Sequence, residues 1–294
     1  MHKRKNKPRL AAVCFALVLA MLGSFSAGAL SHYIQPTVES RVRADYAEVP
    51  IYVNGQALDM DARLIMSTTY VPLRAFCEAM GECDICYDCA SRVATVTADG
   101  IYLRVGDGSR LLTVNGRCLY SDMAAVILDD NRLYVPIRLL EKAYGVTVSW
   151  DGATRSVSVS GAVKPILAGD IYYRADEVYW LAKIISAESR GEPFLGQIAV
   201  GNVVLNRVHS RAYPNTIYGV IFDRYYGVQF APVSNGTIHL PATESAVLAA
   251  KVCLEGYSVS HDALFFIEPR LAESLWVPKN RPYLFTIGAH DFYR

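Results

Sequence analysis

Between residues 50 and 160 the chain repeats itself, and this duplication constrains its fold more than any other feature. Val53-Asn54-Gly55 recurs as Val114-Asn115-Gly116, an offset of 61. Tyr70-Val71-Pro72-Leu73-Arg74-Ala75-Phe76 recurs as Tyr134-Val135-Pro136-Ile137-Arg138-Leu139-Leu140, an offset of 64. Gly81 matches Gly145, and Asp88-Cys89-Ala90-Ser91-Arg92 matches Asp151-Gly152-Ala153-Thr154-Arg155 at an offset of 63. Matched blocks in one order with drifting offsets mark a duplication with small loop insertions, which stacks similar units and buries one against the next.

Each copy reads the same way. A short strand enters an Asn-Gly turn and a second strand runs to the Tyr-Val-Pro block. Proline then stands near the first helical position, where its missing N–H costs nothing, and Gly81 or Gly145 ends the helix. Alternation closes the unit: Val148, Trp150, Val157 and Val159 are interleaved with Thr147, Ser149, Ser156 and Ser158. The predicted unit is a duplicated small α+β module, 50–160, with no acid–base constellation, and hence a binding or spacing module. None of the six histidines falls between Pro50 and Gly161, so no imidazole cluster exists there to hold copper.

Charge separates the N-terminus from the rest. The formal net charge of +1 combines a basic start (Lys3, Arg4, Lys5, Lys7, Arg9) with no acid in the first 29 positions. An apolar run from Leu10 to Leu22 and a small-residue site, Ala27-Gly28-Ala29, complete the parts of a secretory signal peptide, residues 1–29. Retained, the same run would serve as a membrane anchor. Beyond it lie 24 basic and 28 acidic residues, a mildly acidic exported body that excludes a strongly basic nucleic-acid binder. A 52% hydrophobic composition with one near-spanning run excludes disorder and a multi-pass membrane protein.

Cys83, Cys86 and Cys89 are spaced C-x-x-C-x-x-C, with Cys77 and Cys118 nearby. Three states fit that pattern: disulfides, favoured by export, free thiols, or a tetrahedral metal site with a fourth soft ligand. The second copy has no cysteines at the matching positions, so the fold does not require them. Cys253, in an Ala/Val/Leu-rich helix, is expected to be a small buried apolar residue.

After Gly161 the texture changes to longer helices. Asp176 and Glu177 open one, next to its positive end. Val178, Leu181, Ile185 and Glu188 follow at spacings of three, four and three, on one face. Glu188 therefore either continues an apolar stripe, where lost hydration would raise its pKa toward that of a general acid, or frays into solvent before Gly191. Glu192, flanked by Gly191 and Pro193, is a rival or helper carboxylate that could instead cap the next helix. Four histidines follow position 200 (His209, His239, His261, His290) with no i, i+4 pair, so the metal expectation is none.

The Ala187-Glu188-Ser189-Arg190-Gly191-Glu192 and Gly196-Gln197-Ile198-Ala199-Val200-Gly201-Asn202-Val203-Val204-Leu205-Asn206-Arg207 blocks resemble the signature of SleB-type cell wall hydrolases, the spore-cortex-lytic enzymes. Pro214–Ile221, Gln229-Phe230-Ala231-Pro232-Val233, Ala263–Phe266 and Ile287–Tyr293 continue that pattern in order. Ser189 and Ala231 are small departures, and Ala289 stands where the family often has Asn. Val-Asn-Gly…Tyr-Val-Pro-[Leu/Ile]-Arg is similar to the copper amine oxidase N-terminal-like (stalk) domain. The resemblance implies an α+β chain of two domains, the module and a mostly helical lysozyme-like domain over 171–294 with a small β element. It implies an enzyme without cofactors whose partner is peptidoglycan. Its reaction would be lytic transglycosylation of the N-acetylmuramic acid–N-acetylglucosamine bond, with Glu188 as the single catalytic carboxyl. Hydrolysis, and a non-catalytic glycan-binding protein, are the alternatives. Glu192, Asn206, Gln229, Phe230 and Tyr293 are the candidates for lining the sugar cleft, with Asn206 as a helix C-terminal residue and Phe230 as simple core the structural alternatives.

Overall fold

A computed structural model describes residues 46–294 apart from Tyr226 and Glu273; the predicted export segment lies outside the described residues. Among the described residues, no helix is long and apolar enough to cross a membrane.

The first copy of the repeat runs β1 (Ala47–Val53), β2 (Gln56–Ile65), β3 (Thr68–Pro72), α1 (Leu73–Met80), β4 (Cys83–Asp88) and β5 (Val93–Ala98). The second runs β6 (Ile101–Gly106), β7 (Leu111–Val114), β8 (Arg117–Tyr120), β9 (Val126–Ile127), β10 (Leu133–Pro136), α2 (Ile137–Tyr144), β11 (Thr147–Asp151) and β12 (Ser156–Ser160). Both Asn-Gly pairs form the predicted turns, with Asn54 and Asn115 each at φ 49° and their glycines at 82° and 78°. Two positive φ values are what a tight hairpin of matching twist requires.

The duplication becomes a symmetry element. β3 and β10 pair antiparallel, with Val71 opposite Val135, Tyr70 opposite Pro136 and Pro72 opposite Tyr134. The two Tyr-Val-Pro blocks thus meet head to tail about a local two-fold axis. Pro72 and Pro136 are the N-caps of α1 and α2, one position earlier than predicted. Strands from both copies form a seven-stranded sheet of order β11-β12-β1-β2-β3-β10-β9 and a five-stranded sheet of order β4-β5-β6-β7-β8.

In this structure the described cysteines are thiols. Cys77, Cys83, Cys86, Cys89, Cys118 and Cys253 are all free, and among the described residues no group of three ligands is placed to hold a metal ion. Strand geometry explains this. Cys83 and Cys86 lie on β4 three residues apart, so a period of two sends them to opposite faces, and Cys89 lies in the turn beyond. Cys77 is buried, which pushes its thiol up to about 12.

The remainder comprises α3 (Gly169–Tyr172), α4 (Ala175–Ser189), α5 (Phe194–His209), α6 (Ile217–Ile221), α7 (Ala231–Asn235), α8 (Glu244–Leu254), β13 (Phe265–Ile267), α9 (Trp276–Asn280), β14 (Tyr283–Ile287) and β15 (His290–Tyr293). This is the expected mostly helical unit with a small sheet, of order β13-β15-β14. Val178, Leu181 and Ile185 of α4 point inward as predicted, against α5 and α8. α5 has no room for a side chain at Gly201, where a Cβ would stand 2.7 Å from Cys253 Sγ and 2.8 Å from Ile185 Cδ1. Cys253 is the buried apolar residue expected.

The halves do not meet only at a linker. On the five-stranded sheet, Ala94, Leu112 and Leu119 face the core of the repeat module, whereas their neighbours Val93, Leu111 and Cys118 face the helical core. Alternation of side chains makes one sheet serve two cores. Polar contacts fix the seam. Arg117 forks onto Glu255 with Nε–Oε1 and Nη2–Oε2 distances of 2.7 and 2.5 Å, and both side chains are nearly buried (11% and 5% exposed). The Tyr173 hydroxyl donates to Glu255 Oε1 and accepts from Cys118 N, and the Tyr172 ring lies 3.4 Å under the Arg117 guanidinium. Lys251 Nζ donates to Gly116 O and Tyr257 Oη to Asp122.

Candidate active site

Glu188 occupies the last turn of α4, directly after the inward face formed by Leu181 and Ile185. It is half-buried, and burial raises its carboxyl to about 7 while the nearby Arg207 pulls it down. The expected stripe therefore continues to Glu188 rather than ending at Ile185. A carboxyl that is substantially protonated near neutrality is the form a general acid requires.

Arg207, in the last turn of α5, was not singled out from the sequence. It is 5% exposed; Nε donates to Leu264 O at 2.8 Å, and Nη1 is buried with no hydrogen-bond partner among the described residues. Its guanidinium carbon lies 5.0, 5.1 and 5.4 Å from the ring centroids of Tyr213, Phe230 and Phe265. These aromatic faces help to hold a cation that burial disfavours. Burial lowers its pKa, against the attraction of Tyr213, Asp223 and Glu188. The spacing rule that picked out Glu188 would also have found it, since Val200, Val203 and Arg207 share one buried face of α5.

The other expected lining residues take different places. Phe230 and Tyr293 are only 3% and 5% exposed; Phe230 packs beneath Arg207, and Tyr293 sits on β15 against Tyr283. Both contribute to the core, because an aromatic ring here fills space between packed elements. Asn206 donates both amide hydrogens, to Ser260 O and Ala263 O at 2.8 and 2.9 Å. With Arg207 to Leu264 O, and Leu264 N to Tyr293 O, it straps α5 to the segment entering β13. Gln229, partly exposed on the loop before α7, folds its amide back onto Gly227 O. Of the five, Gln229 alone has an unburied side chain with no bond outside its own loop among the described residues.

Glu192 does not cap α5, whose N-cap is Pro193 and which has no side-chain cap bond. Its Oε2 instead accepts from Ala289 N at 2.9 Å and lies 3.9 Å from His290 Nδ1. Glu192 thus clamps the β14–β15 turn to the α4–α5 corner. Gly288 makes the turn at φ 60°, and a Cβ there would overlap the Glu192 carboxylate. Gly288→Ala should therefore lower stability by about 1–3 kcal/mol in a urea titration, through left-handed backbone and displaced Glu192 together. An unchanged midpoint would contradict the clamp. A cavity of about 340 Å³ lined by Arg270, Thr286, Gly288, Ala289 and Asp291 opens beside it.

Both halves are similar to known proteins. Residues 191–293 match the Cell Wall Hydrolase family and residues 52–159 the copper amine oxidase N-terminal domain. The first match begins just after Glu188. The spore cortex-lytic enzyme of Bacillus cereus is 39% identical over 120 residues, 41% of this chain and 45% of that protein. That of Bacillus subtilis is 36% identical over 117 residues, 40% of this chain and 37% of that protein. The chain thus spans less than half the length of these curated relatives. The solved catalytic domain of the germination-specific lytic transglycosylase SleB from Bacillus anthracis is 37% identical, covering 44% of this chain and all of that one, at a TM-score of 0.39. The helical half is therefore similar to cell wall hydrolases, spore cortex-lytic enzymes among them, and the repeat module to the copper amine oxidase N-terminal domain.

Proposed function

We propose that this protein is an exported enzyme that cleaves peptidoglycan glycan strands as a lytic transglycosylase, with Glu188 as its only acid–base group. One observation carries the reading: a half-buried carboxyl, raised to about 7 and acted on by the charge of a buried guanidinium, stands just ahead of the residues that match the Cell Wall Hydrolase family. Protonated Glu188 donates to the glycosidic oxygen as the C1–O bond breaks. The resulting carboxylate is stabilised by the charge of Arg207, and accepts the proton of the muramyl 6-hydroxyl as that oxygen bonds to C1. Atoms balance without water, and the products are a 1,6-anhydromuramyl end and a free 4-hydroxyl. The substrate is peptidoglycan of the spore cortex or the wall, and the N-terminal segment exports the enzyme or anchors it in the membrane.

Hydrolysis needs a second carboxylate placed to activate water or attack the sugar. Asp223 is the candidate, because it also acts on the Arg207 charge from the segment after α6. Mass analysis of fragments released from purified cortex and vegetative sacculi decides between them. Anhydro ends, with release persisting in Asp223→Asn, are the expected result. Fragments heavier by one water, lost in Asp223→Asn, would establish hydrolysis, and no fragments from either wall would remove the enzymatic reading.

A further inference from the structure

The repeat module carries an open groove of about 400 Å³, in the size range of small-ligand clefts. Trp150 on β11, the outermost strand of the seven-stranded sheet, forms one wall and is 42% exposed. Arg138 and Ile137, at the start of α2, form another, and Ser67, Thr68 and Thr69 on the β2–β3 hairpin supply hydroxyls. Trp150 is not leftover core: the first copy also keeps an exposed ring, Tyr87, at the matching position on the outer strand of its own sheet.

Two further features frame this groove. The β2–β3 turn is made by Met66 and Ser67 at φ 47° and 62°, where the Asn-Gly turns elsewhere in the module use residues suited to it. Left-handed backbone is unfavourable for Met and Ser, and such strain gathers at binding sites. Met66, next in sequence to the lining residue Ser67, is also 75% exposed. Arg138 Nη1 is tied to Glu141 Oε2 and Val148 O at 2.8 and 2.7 Å, which fixes the guanidinium plane. Its Nε and Nη2 donors have no protein partner among the described residues, and the side chain is 60% exposed.

We propose that this groove is a second glycan site, taking the peptidoglycan strand with a sugar face on Trp150 and a stem carboxylate on Arg138. A flat indole offers an apolar face to the C–H side of a pyranose, neighbouring hydroxyls meet its polar edge, and a fixed guanidinium matches a carboxylate. Peptidoglycan combines all three chemistries. The inference rests on peptidoglycan being the substrate of the helical half. The Arg117–Glu255 seam holds the groove fixed relative to Glu188, so one bound strand would raise the effective concentration of glycan at the catalytic carboxyl.

Co-sedimentation of the full exported chain with purified sacculi tests the proposal, using Glu188→Gln as the parent so that the walls stay intact. Adding Trp150→Ala should weaken retention about tenfold, whereas Trp150→Phe, which keeps a ring, should stay within about threefold. Arg138→Gln, on the opposite wall, should weaken retention severalfold and more at low salt than at high. Parent-like retention of a folded Trp150→Ala variant would overturn the proposal, as would equal losses in Trp150→Ala and Trp150→Phe. Cleavage of soluble glycan oligomers by the chain with Glu188 intact is followed separately. Its failure would count against the enzymatic reading alone, since retention is measured without catalysis.

Discussion

Glu255→Ala is expected to destabilise the protein by about 3–5 kcal/mol, the cost of leaving a buried charge without its partner. Arg117 and Glu255 are nearly out of water, and their two hydrogen bonds are the bidentate kind that a carboxylate and a guanidinium make best. Removing Glu255 strands the guanidinium and also takes the acceptor from the Tyr173 hydroxyl, so the seam between the two cores should open first. The pair need not be strongly stabilising in itself, because desolvation offsets much of its attraction. Replacing both residues together, as Arg117→Met with Glu255→Leu, should therefore recover most of the loss. A urea titration checks both statements. A cost below about 1 kcal/mol for Glu255→Ala would mean that the seam is wet and the two halves hinge.

Glu188→Gln should move stability and activity in opposite directions. Burial raises the carboxyl from its ordinary 4.5 to about 7 in the fold, so the folded state binds the proton more tightly than the unfolded state. Stability then falls as pH rises from about 4.5 to about 7, because the unfolded chain gives up the proton first. Above that window the parent carries an unfavourable half-buried carboxylate and the glutamine variant does not. With allowance for its partial exposure, the variant should gain on the order of 2 kcal/mol at pH 8 and almost nothing at pH 4. Melting temperatures of the two proteins across this range test the prediction. A gain that does not grow with pH would mean that Glu188 titrates like a solvated carboxyl.

The sequence was most legible where the chemistry of single residues dictates backbone. Two Asn-Gly pairs, two Tyr-Val-Pro blocks and two helix-ending glycines carried the duplicated module, whereas the antiparallel pairing of its two Tyr-Val-Pro blocks came only from the structure. Less legible was the sheet shared by two cores. Its signal is adjacent apolar pairs such as Leu111-Leu112 and Val93-Ala94, which period-two reasoning treats as noise unless both faces are covered. At the site, helical spacing located Glu188, because a charge on an apolar stripe is conspicuous. Arg207 follows Val200 and Val203 on α5 in the same spacing. Phe230, Tyr293 and Asn206 misled for a common reason: aromatic and amide side chains suit a sugar cleft and a packed corner equally well. Residue type does not distinguish the two, whereas tertiary packing does. Glu192 was read against its sequence neighbours, but its partner is Ala289, on the last hairpin of the chain.

The central claim is that one carboxyl, Glu188, carries both proton transfers. The most direct test is the rate of fragment release from purified sacculi by the parent and by Glu188→Gln, with products identified by mass. Loss of a positioned general acid costs about 10²–10⁴-fold, and here the same group is also the base. Release by Glu188→Gln should therefore fall at least about a thousandfold, in a protein that is folded and more stable than the parent at pH 8. Release within tenfold of the parent would contradict the account and place the chemistry on another residue.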